Sequence, residues 1–215
     1  MSQSPSTVAA EMYNESKISK RKKQEGSFLV GMLPLLSLFA IGVILYGVTA
    51  SGMQGISRYW EIFVALIALF SLGSGWGQAY LGNRSRLWYL IRQIVHWGGL
   101  ILLLYVLNTQ GIRMLMNDHQ YTILLAYLLS FAVLLAAVHV DFKLIFFGVF
   151  MTYCAFLIAV PTNNPALVAL GKQLDIPNAT AQPLLMTLGV AGAGLIASLF
   201  IRAYMRGAIA AKRSR

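Results

Sequence analysis

The sequence predicts an all-α integral membrane protein, a bundle of six transmembrane helices with both termini in the cytoplasm. Three observations carry that expectation. The 215 residues are 58% hydrophobic and only 11% charged, far from the soluble globular average. The apolar residues gather into blocks of about twenty, the length that crosses a hydrocarbon core, with short polar stretches between them. The cationic residues fall mainly at the two ends and in alternate loops, as the positive-inside rule requires.

Residues 1–26 form a basic polar tail, with Lys17, Lys20, Arg21, Lys22 and Lys23 gathered just before the first apolar block. Such a segment buries too little apolar surface to fold alone. It reads first as a cytoplasmic anchor that sets orientation. Lys20, Arg21, Lys22 and Lys23 are also candidate contacts for anionic lipid headgroups, at roughly 1 kcal/mol per charge near the surface.

The membrane domain is expected over 27–206. Its first span is placed at about 28–50; the apolar run is too long for a signal-peptide core, so it reads as a retained helix. The second, about 59–81, contains Gly73 and Gly77, a small-x-x-x-small step at which another helix can approach closely. The third, about 87–108, carries Arg92 and His96. The fourth and fifth lie at about 121–140 and 144–160. Between 161 and 183 the chain is too polar and proline-rich to span. Asn164-Pro165 reads there as a helix start, and Leu167, Leu170 and Leu174 recur at helical spacing, so a short surface helix is expected over about 165–174. The sixth span, about 184–201, carries Gly189, Ala193 and Ala197 as a stripe of small residues four apart, a candidate packing face. Residues 207–215 form a second basic cytoplasmic tail.

Six spans put both ends on one side. Thirteen Lys and Arg then lie on that side and three on the other, with Arg92 inside the third helix. The bias places both tails in the cytoplasm, in a bacterial inner membrane, and explains the formal net charge of +10 without a nucleic-acid partner.

Chemistry-bearing motifs are sparse. The sequence has no phosphate-binding loop, no HExxH zinc helix and no cysteine pair, because Cys154 is the only cysteine. Gly192-Ala193-Gly194-Leu195-Ile196-Ala197 matches the dinucleotide fingerprint in letters only, since no strand and no phosphate-accessible turn precede it. Asn178-Ala179-Thr180 fits the N-glycosylation pattern on the non-cytoplasmic side. Trp60 and Trp88 fall at opposite membrane faces and read as interfacial anchors.

The informative polar groups are inside the third and fourth spans. Arg92 and His96 are four residues apart and share one helix face. Arg92 lies about five residues from the cytoplasmic end of its helix, roughly 8 Å, a depth from which a long side chain reaches the headgroups. Asp141, at the same end of the fourth span, is its natural carboxylate partner. Glu61 lies near the opposite membrane face and is too distant. His96 is a turn deeper and reads as a neutral imidazole bonded to a neighbouring helix. His139 sits near Asp141, and its depth argues against a second haem ligand, because it lies about 12 Å shallower than His96. Arg92, His96, His139 and Asp141 thus form a candidate intramembrane polar cluster.

No catalytic residue, metal site or cofactor is expected. The expected function is that of a non-catalytic subunit, assembly factor or regulator of a membrane complex, holding a protein partner or a second copy of itself within the bilayer. The alternative is a small transporter or channel for an anion or proton that uses Arg92, His96 and Asp141.

Overall fold

The computed structural model describes residues 33–81, 86–139, 142 and 144–213. Among them the regular structure comprises seven α-helices: α1 Leu33–Ala50, α2 Ser57–Leu81, α3 Arg86–Thr109, α4 Asp118–His139, α5 Leu144–Ala159, α6 Pro165–Gln173 and α7 Pro183–Arg213. Short 3₁₀ turns lie at Ile112–Leu115 and Ala179–Ala181. Four helices are long and apolar enough to cross a membrane: Leu33–Ala50, Leu87–Thr109, Asp118–His139 and Pro183–Ile201. α5 is apolar but shorter, at 16 residues. The expected cationic cluster at Lys20, Arg21, Lys22 and Lys23, and Asp141, lie outside the described residues.

The helix boundaries follow local chemistry. The turn between α1 and α2 uses Gly52 and Gly55 at φ +75° and +73°, a left-handed conformation that costs glycine nothing. Asn117 caps α4: its Oδ1 accepts from the Gln120 amide at 2.8 Å and the Gln120 side chain accepts from the Asn117 amide at 3.1 Å. This reciprocal capping box satisfies two backbone donors at once. Asn164 caps α6 as the Asn-Pro pair predicts, with Oδ1 accepting from the Ala166 amide at 2.9 Å and proline in the first turn. Its Nδ2 also donates to Phe156 O and Val160 O, so one side chain ends α5 and starts α6.

α7 differs from the expectation. Its helix continues past 201 and through the start of the basic tail to Arg213, because Ala208-Ile209-Ala210-Ala211-Lys212-Arg213 is a run of good helix formers with no breaker. At about 1.5 Å per residue it is roughly 46 Å long, more than the ~30 Å hydrocarbon thickness.

Residues 38–215 make one compact unit. The α4–α5 hairpin is its centre. In the α4 span window 56% of the residues are buried, against 17% for α3 and 22% for α7. α2 packs on α3 and α4, and α7 packs on α5. Aromatic rings tie α1, α2 and α5 together. Phe147 lies 5.2 Å from Phe39 and 6.4 Å from Phe63, and Phe39 lies 5.1 Å from Phe150. Trp60 belongs to this core and not to an interfacial belt. It is fully buried because Thr49 on α1 supplies an acceptor for its indole N–H at 3.0 Å, which removes the cost of burying that donor. Trp88 is 61% exposed.

Candidate functional site

α3 carries Arg92 and His96 on the face it turns toward α4, and both side chains donate to α4 backbone carbonyls. His96 Nε2 lies 2.9 Å from Ala132 O. A carbonyl only accepts, so Nε2 carries a proton and donates it to Ala132 O. Arg92 Nη1 donates to His139 O at 3.1 Å, on the last residue of α4. A cation at that position meets the negative end of the helix dipole. The two donors are four residues apart on α3, about 6 Å of rise, whereas their acceptors are seven apart on α4, about 10 Å. The arginine side chain spans the difference by leaning toward the helix end, which is snorkelling with a protein acceptor at its tip. His139 is exposed, and its Nδ1 contacts Leu135 O of its own helix at 2.9 Å. Arg92, His96 and His139 therefore come together along the α3–α4 seam.

Replacing His96 by Leu is expected to cost little, since a single interhelical hydrogen bond within a membrane contributes about 0.6 kcal/mol on average. Arg92→Leu removes the contact to the α4 end together with an exposed cation. Cell abundance should fall further for Arg92→Leu than for His96→Leu; the opposite ranking would refute this account of the seam.

A second polar cluster joins α2 to α3 and is built from uncharged groups. Gln93 is fully buried. Its Nε2 donates to Tyr89 Oη at 2.9 Å and contacts Ser71 Oγ at 3.3 Å, and Tyr89 Oη donates to Ser71 O at 3.0 Å. Sequence reading passed over Gln93 in favour of its charged neighbour. The available signal was an amide in the middle of an apolar span, which needs a partner helix.

The densest network lies at the opposite end of the bundle, where α2 and α4 begin. Arg113, in the 3₁₀ turn after α3, pairs with Glu61 of α2 at 3.2 Å, donates to Ser57 Oγ at 3.3 Å and sits 5.0 Å from the centroid of the Tyr121 ring. Tyr121 Oη donates to Glu61 Oε1 at 3.0 Å, and Ser57 Oγ donates to Asp118 Oδ1 at 2.6 Å. The partners are about one-third exposed, so water screens the ion pair and its own contribution is small. Its effect is to lock the 110–117 connection onto two helix starts. Beside it opens a recess of about 800 Å³ lined by Gln54, Arg58, Tyr59, Ile62, Arg113 and Asp118. Side-of-membrane arithmetic of the kind that paired Arg92 with Asp141 would have paired Glu61 with Arg113, because both fall at the non-cytoplasmic end of the predicted topology.

Most described members of the candidate small-residue faces lie on the outside of the chain. Gly73, Gly189 and Ala193 are exposed and Ala197 is half-buried, and a Cβ added at Gly73 or Gly189 would meet nothing within 4 Å. Gly77 lies within α2, toward its end. The close approaches inside the chain use other glycines: Gly42 against Phe150, Gly148 against Leu134 and Gly194 against Phe39. Cys154 is buried and unpaired. Among the described residues no group of three His, Cys, Asp or Glu side chains converges to hold a metal ion.

These features define an all-helical protein with several helices able to cross a membrane and polar groups concentrated at the helix ends and along helix seams. No protein-family model matches the chain, and comparison with curated proteins and with solved structures found no match.

Proposed function

We propose that this chain is a six-span protein of a bacterial inner membrane, with both termini cytoplasmic, that acts as a non-catalytic subunit, assembly factor or regulator by holding another membrane helix against α7. The remaining two spans are α2, at 25 residues, and α5, and the thirteen-to-three cation bias supports the orientation. The observation that carries the reading is the outward small-residue face of α7. Gly189 and Ala193 are exposed on a helix that the rest of the chain covers only sparsely. In lipid, helices associate where small residues let their backbones meet, since apolar area alone gives no preference for protein over lipid. The transporter alternative is less well supported, because Arg92 Nη1 and His96 Nε2 each already bond an α4 carbonyl.

Affinity purification of the full chain in a mild detergent is expected to bring down a stoichiometric protein partner or a homo-oligomer. Ala193→Trp should release it while leaving the thermal unfolding temperature of the chain unchanged, because position 193 faces outward. A monodisperse monomer from the wild-type chain, or an association indifferent to Ala193→Trp, would overturn the proposal.

A further inference from the structure

The recess at the start of α2 has the chemistry of a lipid headgroup site. Its two arginines differ in occupation. Arg113 is committed, with one amino group on Glu61 and the other on Ser57, whereas the Arg58 guanidinium is exposed and has no hydrogen-bond or ion-pair partner among the described residues. Asp118 is half committed: Oδ1 accepts from Ser57, and Oδ2 has no partner among the described residues. One free guanidinium and one free carboxylate oxygen thus line the same recess. An arginine fork matches the two anionic oxygens of a phosphodiester, and a carboxylate oxygen accepts from a primary ammonium.

The recess also opens onto an apolar track. Arg58, Ile62, Ala65 and Leu69 fall on one face of α2 at helical spacing, and all four are exposed, Ile62 at 59% and Leu69 at 69%. A molecule with its polar end at Arg58 and its hydrocarbon directed along Ile62 and Leu69 would satisfy both parts at once. The recess is open on one side and its volume of about 800 Å³ leaves room for a headgroup. With Arg58, Arg113, Glu61 and Asp118 together, the formal charge of the surroundings is zero, which favours a zwitterion over an anion.

We propose that this recess binds the headgroup of a zwitterionic phospholipid that carries a primary ammonium, with the phosphate on Arg58, the ammonium on Asp118 and an acyl chain along Ile62 and Leu69. The assignment rests on the chain being embedded in a bilayer, and it does not require a protein partner. Native mass spectrometry of the full chain, released from mild detergent with ethanolamine, choline or glycerol phospholipids of identical acyl chains, tests it. The ethanolamine lipid is expected to give the most persistent one-to-one adduct. Losing a charge-assisted hydrogen bond in Arg58→Ala should weaken retention by about tenfold, and Arg58→Lys should recover part of it. Asp118→Asn, which keeps an acceptor for Ser57, should bring the ethanolamine lipid down to the level of the choline lipid. Equal retention of the three headgroups by the wild-type chain, or adducts unchanged in both Arg58→Ala and Asp118→Asn, would overturn the site. Release of the chain from membranes by alkaline carbonate would overturn the membrane reading itself, a result distinguishable from a carbonate-resistant chain without headgroup preference.

Discussion

Gly148→Leu is expected to destabilise the folded protein strongly, whereas Gly99→Leu leaves it intact. At Gly148 the α4 and α5 backbones meet so closely that an added Cβ would lie 2.7 Å from Leu134 Cδ2, 2.9 Å from its Cγ and 3.3 Å from its backbone nitrogen. The branch carbon and the backbone cannot swing aside as a side-chain tip can, so the two helices must separate. Overpacking of this kind costs typically ~1–3 kcal/mol and more when backbone moves, against a total stability of about 5–15 kcal/mol for a native protein. α4 and α5 are the central pair, so their separation propagates to α2 and α7. Gly99 is exposed on α3, with nothing within 4 Å of an added Cβ, and leucine is the better helix former by about 1 kcal/mol in water. Thermal unfolding in detergent, followed by tryptophan fluorescence, together with gel filtration, reads both variants. Equal losses at the two positions would sink the proposed α4–α5 contact.

Phe147→Ala should produce a loss of at least the same order. The side chain is completely buried and its ring lies 5.2 to 6.4 Å from those of Phe39, Phe63 and Phe150. Truncation removes contacts with three rings and leaves a cavity that the two helices carrying Phe39 and Phe63 cannot collapse into without moving. Buried Phe→Ala changes cost ~3–5 kcal/mol. Phe131 on α4 is 61% exposed, so Phe131→Ala exchanges an outward-facing ring for a smaller outward-facing group and should change stability by about 0.5 kcal/mol or less. Unfolding midpoints measured in one detergent should therefore separate the two phenylalanines by many degrees. Identical midpoints would mean that the assignment of core and outward faces is wrong.

Much of the helical architecture was legible before any coordinates. The apolar blocks at 87–108 and 144–160 coincide with helices α3 and α5 to within a residue or two at each end, because each is bounded by polar residues or turn formers. Asn164-Pro165 announced the start of α6 through cap chemistry that is wholly local. The seam site was legible in part. Arg92 and His96 had to share a face because they are four residues apart, and the depth of His96 in its helix favours a hydrogen bond to a neighbouring helix. That the acceptors are the carbonyls of Ala132 and His139 was not legible, since every residue of α4 offers a carbonyl. The Glu61–Arg113–Tyr121 network was overlooked for a related reason. Its members are up to 60 residues apart in sequence, and nothing local joins them.

The small-residue faces show most clearly where sequence ends and tertiary structure begins. Composition, span length and cation distribution determine that these helices form and that they suit a bilayer, because backbone groups in hydrocarbon must be satisfied within the helix. They do not determine which side of each helix meets protein. In a soluble helix the polar face marks the solvent side. Here lipid and protein interior are equally apolar, and a glycine on one face reads the same as a glycine on another. Gly189 and Gly194 lie in the same span, one with nothing within 4 Å and the other 3.1 Å from the Phe39 ring, measured from an added Cβ. Only the packing of the helices against one another decided between them.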